Sequence, residues 1–132
     1  MRTKLGILAA VVALCYAAPL FAHHGFDTEY DANKKFKHEG VVSAVLWTNP
    51  HMRVHVDVTE GGKMTTYNME LTSPNSVQRQ GWGKNDLKVG DKVVFEGYGG
   101  KVDESRGSLL SIAKVETPTK PLFVQGGPEA QK

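Results

Sequence analysis

The chain has 132 residues, with 16 basic and 14 acidic side chains and one cysteine. That length suits one small domain with a single core and excludes a second. A near-neutral balance argues against nucleic acid or an anionic membrane surface as partner, and a lone cysteine excludes an internal disulfide.

The first 22 residues, MRTKLGILAAVVALCYAAPLFA, have a short basic start (Arg2, Lys4), an apolar run and a small residue, Ala22, at a plausible cut. That layout predicts a secretory signal peptide, the run being too short and too poorly flanked for a membrane span. A cut after Ala18 would leave Pro19 at the new terminus, a poor choice, and an uncleaved anchor is the competing reading. Cleavage after Ala22 leaves 110 residues with 14 basic against 14 acidic side chains, because Arg2 and Lys4 go with the leader, as does Cys15. The expected location is the periplasm or the medium, with no membrane contact after cleavage.

Residues 23–35 read as a polar amino-terminal segment. FKHEGVVSAVLW (36–47) predicts a first strand, in which Gly40 marks a bulge or bend. Thr48-Asn49-Pro50 is a turn signal. HMRVHVDV (51–58) alternates: Met52, Val54, Val56 and Val58 face a core, whereas His51, Arg53, His55 and Asp57 face the other way. Glu60-Gly61-Gly62 predicts a hairpin turn and MTTYNMEL (64–71) a third strand. Ser73-Pro74 starts a short helix that stops at Gly81. A turn at Val89-Gly90-Asp91 leads into a fourth strand, SLLSIAKVE (108–116) is a fifth, and the tail 117–132 reads as loose. Three strands, a helix and two strands predict an all-β fold, a five-stranded barrel like those that bind oligonucleotides and oligosaccharides (OB-like), over residues 36–116. A β-sandwich needs more strands than are found.

The motifs HHGF, WTNPH, ELTSPN, QRQGW and LKVGDKVVFEGY occur in that order. Together they resemble an uncharacterised family of small exported bacterial proteins, whose mature chains start His-His-Ser-Phe and carry Trp-Thr-Asn-Pro-His. The resemblance runs from about His23 to Val115. It implies no activity and directs attention to His23, His24, His51, Glu70 and Asn75. This chain departs from it in having Gly25 for the serine and His55 for a common aromatic residue.

If cleavage exposes His23, its α-amine and imidazole can chelate one ion, both being deprotonated near neutral pH at modest cost. A third nitrogen from His51 or His24 completes a T-shaped set suited to Cu(II), whereas zinc would want a tetrahedron with Glu70 as the fourth ligand. A terminal amine, an amide nitrogen and His24 could also bind copper with no fold at all. His55, on the polar face with His51, is a further metal candidate. Bland readings stand beside these: processing or solubility for His23 and His24, turn capping for His51, a solvated strand face for His55, and for Glu70 hydrogen bonds from the amides of Ser73 to Asn75. His38, between Lys37 and Glu39, reads as surface. Trp82 reads as an apolar plug whose indole N–H seeks a carbonyl, and Trp47 as closing the core.

The leading expectation is a periplasmic copper carrier or buffer. Behind it come a metal-free module that binds a ligand or another periplasmic protein, and a copper-dependent oxidase, which lacks a visible second redox centre. Hydrolase chemistry is unsupported, for no Gly-x-Ser-x-Gly and no mature cysteine is present.

Overall fold

Strict alternation between Arg53 and Glu60 produces a strand with one dry face: Val54, Val56 and Val58 are buried, and Met52 just before them is fully buried too. In the computed structural model, which describes residues 25–126, this segment is β2, and it follows a long first strand, β1 (Tyr30–Leu46). β2 turns tightly into β3 (Lys63–Glu70) through Gly61 and Gly62, with Glu60 opposite Lys63. Both glycines have positive φ, 58° and 76°, as a two-residue hairpin matched to strand twist requires.

The remaining elements are a helical turn at residues 25–29 (α1), a helix over Pro74–Arg79 (α2), β4 (Lys92–Gly100), β5 (Arg106–Lys114) and a two-residue strand β6 (Phe123–Val124). The fold is therefore all-β with two short helices. α2 starts as its sequence predicts: the Ser73 hydroxyl accepts from the Ser76 amide, Pro74 occupies the first turn, and Gly81 follows at φ 93°.

The sheet order is β3-β2-β1-β4-β5-β6, and β3 also pairs with β5, so five strands close on themselves as a ring. All neighbours are antiparallel except the closing pair, in which Asn68 to Glu70 run parallel to Arg106 to Ser108. β1 serves two partners, β4 along its first two thirds and β2 along its last third. Gly40 sits where those pairings overlap. A Cβ there would lie 2.4 Å from the Asp57 carbonyl oxygen, so the strand comes closer to β2 than any side chain permits. The register irregularity itself falls two residues on, between Val42 and Ala44.

The core is continuous from Phe95 and Ile112 to Trp82, which is fully buried and meets the Trp47 ring edge-on, centroids 5.9 Å apart. Truncating such a tryptophan costs roughly 3–5 kcal/mol. The Trp82 indole N–H, expected to find a carbonyl, is buried without a partner. The tail also departs from expectation. Phe123 and Val124 are buried and pair with Ile112 and Ser111 of β5. Gln80 explains their anchorage: its side-chain amide donates to the Val124 carbonyl and its oxygen accepts the Val124 amide, each at 3.1 Å, as a neighbouring strand would. β1 likewise starts at Tyr30, six residues before the apolar run that predicted it.

Candidate functional site

The end of the ring where β2 begins and β3 stops gathers opposite charges. Arg53 and Glu70 are cross-strand partners, and an Arg guanidinium facing a carboxylate gives a charge-assisted contact. The Arg53 Nη2 donates to Glu70 Oε2, and Nη1 donates to Asn68 Oδ1 at 3.0 Å. Their side chains are only 19% and 17% exposed, so each charge depends on the other. The sequence placed Arg53 on the polar face but gave it no role; an isolated basic residue in an alternating strand carries no further signal until its partner is known.

His51 stands two residues before Arg53 on the same face. Its backbone is pinned on three sides: the Thr48 hydroxyl donates to the His51 carbonyl, and the next residue, Met52, exchanges backbone hydrogen bonds with Leu71 and Thr72. The intervening Asn49-Pro50 peptide is cis. The ring does not bond a backbone carbonyl, as turn capping would have it. Its Nδ1 lies 2.9 Å from Glu70 Oε1, while half of the side chain stays exposed. Glu70 is thus held by Arg53 on one oxygen and His51 on the other, and not by the amides of Ser73 to Asn75.

Tyr30 approaches from β1. It is 6% exposed, and its hydroxyl is buried without a hydrogen bond of normal geometry. Burial first, and the nearby Glu70 carboxylate second, push its pKa up to about 12, so the phenol stays protonated. Phe26 of α1 stacks obliquely on it at 5.5 Å and meets Tyr98 edge-on at 5.7 Å, docking the amino-terminal turn against the ring.

These groups border one open cavity of about 830 Å³. His51, Glu70 and Tyr30 line it together with Gly25 and Phe26 at the amino-terminal end and Phe123 at the other. Glu29 and Glu70 supply two carboxylates, the second already paired with Arg53, and no lysine or arginine is among the described residues that line the space. Such a cleft favours cationic or neutral occupants over anions.

Of the predicted metal ligands, the structure therefore brings His51 and Glu70 together. His23 and His24 lie outside the described residues, immediately before Gly25 on the cavity wall. His55 does not join them: it is four residues beyond His51, about 13 Å along an extended strand, with Arg53 between. It does not line the cavity, although its Nε2 is buried without a partner. Asn75 is exposed on α2. Among the described residues no three His, Cys, Asp or Glu side chains cluster as a metal site.

His38 corrects the surface reading. It points inward with the even-numbered residues of β1, and its side chain is 17% exposed. Nδ1 pairs with Glu60 Oε1 at 2.9 Å and Nε2 with the Tyr67 hydroxyl at 3.0 Å, the ring lying against Phe36 at 5.1 Å. Its charged neighbours concealed this; the parity with Phe36, Gly40 and Val42 was the signal that could have revealed it. Tyr67 has its pKa raised by burial, then by Glu60 and Glu104.

Among the described residues no helix is long and apolar enough to cross a membrane. Neither a curated protein nor a solved structure matches the chain. A family model described as "Family of unknown function (DUF6152)" matches residues 10–109, and the chain belongs to that family.

Proposed function

We propose that this chain is an exported copper-binding protein, a carrier or buffer, that holds the ion between His51 and the processed amino terminus, His23 with His24. The observation that carries this reading is the shared cavity wall of Gly25, His51 and Glu70. Two residues of extended chain span about 7 Å, so a terminal His23 is tethered to the rim of the cavity that His51 lines. With Nδ1 facing Glu70, His51 offers Nε2 to an ion, and Glu70 acts as the carboxylate that orients a ligating imidazole rather than as a ligand. Glu29 at the cavity adds an attraction for cations, the charge of Glu70 being already matched by Arg53. Nitrogen donors in a T-shaped set favour Cu(II), whereas zinc would recruit Glu70 directly at the cost of its contact with Arg53.

The scaffold we assign is an OB-like barrel. Its support is the ring order β1-β2-β3-β5-β4, the parallel closure of β3 on β5, and α2 between the third and fourth strands. Export rests on the leader, 1–22.

Mass spectrometry of secreted protein is expected to give His23 as the first residue; any other start removes the chelating amine. Titration with Cu(II), followed by electron paramagnetic resonance, should show coupling to at least three nitrogens. His51→Ala should lower the affinity about tenfold or more, and Glu70→Gln about tenfold, as loss of an orienting partner does. An HHGF peptide that binds copper as tightly as the folded protein would overturn the folded site.

A further inference from the structure

The two hydrogen bonds of His38 have directions that their chemistry fixes. A carboxylate only accepts, so the Nδ1 that lies 2.9 Å from Glu60 Oε1 carries a proton, and in the neutral ring Nε2 then presents a lone pair. The Tyr67 hydroxyl faces that lone pair at 3.0 Å. Burial first, then Glu60 and Glu104, raise the Tyr67 pKa, so the phenol keeps its proton and donates it toward Nε2. Carboxylate, imidazole and phenol thus form a chain in which one proton can pass from oxygen to nitrogen along a hydrogen bond already made. Phe36 and Phe95 pack on the Tyr67 ring, centroids 5.2 and 5.7 Å away, and hold it against His38. A notch of about 270 Å³ borders Phe36, His38 and Tyr67, so a small solute can reach the pair.

We infer that Tyr67 is a redox-active side chain that gives one electron to a peroxyl radical, with His38 Nε2 receiving the phenolic proton as the electron leaves. The Tyr67 O–H bond breaks and an N–H bond forms at Nε2, leaving a neutral phenoxyl radical. The peroxyl radical, reduced by that one electron, takes a proton from solvent and becomes a hydroperoxide. Glu60 faces the imidazolium so formed and stabilises it. An ascorbate-like reductant returns the electron and Nε2 returns the proton, which restores the resting pair. Without a base beside it, a half-buried phenol that lost an electron would be left as a cation that its surroundings solvate poorly. Trp82 shows the contrast: its indole N–H is buried with no partner, so no base waits for its proton. Among the described residues no other tyrosine hydroxyl meets an imidazole.

The probe is the trichloromethylperoxyl radical, generated by pulse radiolysis in a solution of the metal-free protein, with the phenoxyl radical followed by transient absorbance and electron paramagnetic resonance. Tyr67→Phe should remove most of the phenoxyl signal. His38→Gln, which keeps a hydrogen-bond acceptor but no basic nitrogen, should slow its formation about tenfold or more, as loss of a positioned base does. His38→Phe, which keeps a ring beside Phe36, should slow it equally. In the unaltered protein, formation should be about twofold slower in deuterium oxide, because the proton moves with the electron; this measurement needs no variant to fold. An undiminished phenoxyl signal in Tyr67→Phe overturns the site. Equal rates for the unaltered protein and His38→Gln, or the absence of an isotope effect, overturn the part given to His38. Failure of copper to bind would leave these outcomes unaffected.

Discussion

Two histidines of this molecule make the same first contact and end up with opposite characters. His51 and His38 each set Nδ1 2.9 Å from a glutamate oxygen. At the cavity the carboxylate is the sheltered partner, Glu70 being 17% exposed and His51 51%. At the other pair the histidine is sheltered, His38 being 17% exposed and Glu60 68%. The difference shows that a contact distance says little about what a pair does. Burial decides which partner pays desolvation, and the second ring nitrogen decides whether the imidazole is already used. His38 spends Nε2 on Tyr67, within a packed aromatic group, whereas His51 sits at an open cavity.

The sharpest way to break this comparison is to remove the carboxylates. Glu70→Ala strands the Arg53 guanidinium in a half-buried site and should cost about 3 kcal/mol, read by thermal or urea unfolding. If Glu70→Ala is nearly neutral, water reaches Arg53 and the distinction between the two ends fails. The histidines come next. His38→Ala removes the ring packed against Phe36 and Tyr67 and should cost about 2 kcal/mol without altering copper affinity. His51→Ala should cost under about 0.5 kcal/mol, as exposed substitutions do, while copper affinity falls.

Alkaline titration sharpens the contrast further. An unfolded tyrosine ionises near pH 10 and Tyr30 near 12, so between these values the unfolded chain has released a proton that the folded chain keeps. Stability must then fall as pH rises from about 10 to about 12, and Tyr30→Phe should remove part of that fall. Absorbance of phenolate should show Tyr30 among the last tyrosines to ionise. The smallest effect is expected for Glu60→Ala, an exposed partner whose loss should change stability by less than about 1 kcal/mol.

Much of the scaffold was legible because it follows from local chemistry. Alternation marked Met52, Val54, Val56 and Val58 as core, Gly61-Gly62 marked the hairpin, and Ser73-Pro74 with Gly81 marked the helix ends. Tyr30 to Lys35 extended β1 against that reading, since the segment is held at its two ends, Tyr30 opposite Gly100 and Lys35 opposite Tyr98 of β4, across an irregular stretch and not by its own composition. Phe123 and Val124 became a strand because Gln80, more than forty residues earlier, presents an amide that imitates a backbone. Of the candidate site, the motifs placed His51 and Glu70 near one another as ligands of one ion, but not their direct contact. Tyr30 was invisible, Arg53 was placed on the polar face without a role, and His55, though on that face, lies too far along the strand to join His51.

What the sequence by itself determined is therefore the alphabet of elements and the dry face of each, because steric turn requirements and two-residue periodicity act over a few bonds. Which polar side chains meet was decided by the register of β2 against β3 and by the packing of β1 beside them. Those steps join groups far apart along the chain, and their energies depend on burial that no local segment can possess alone.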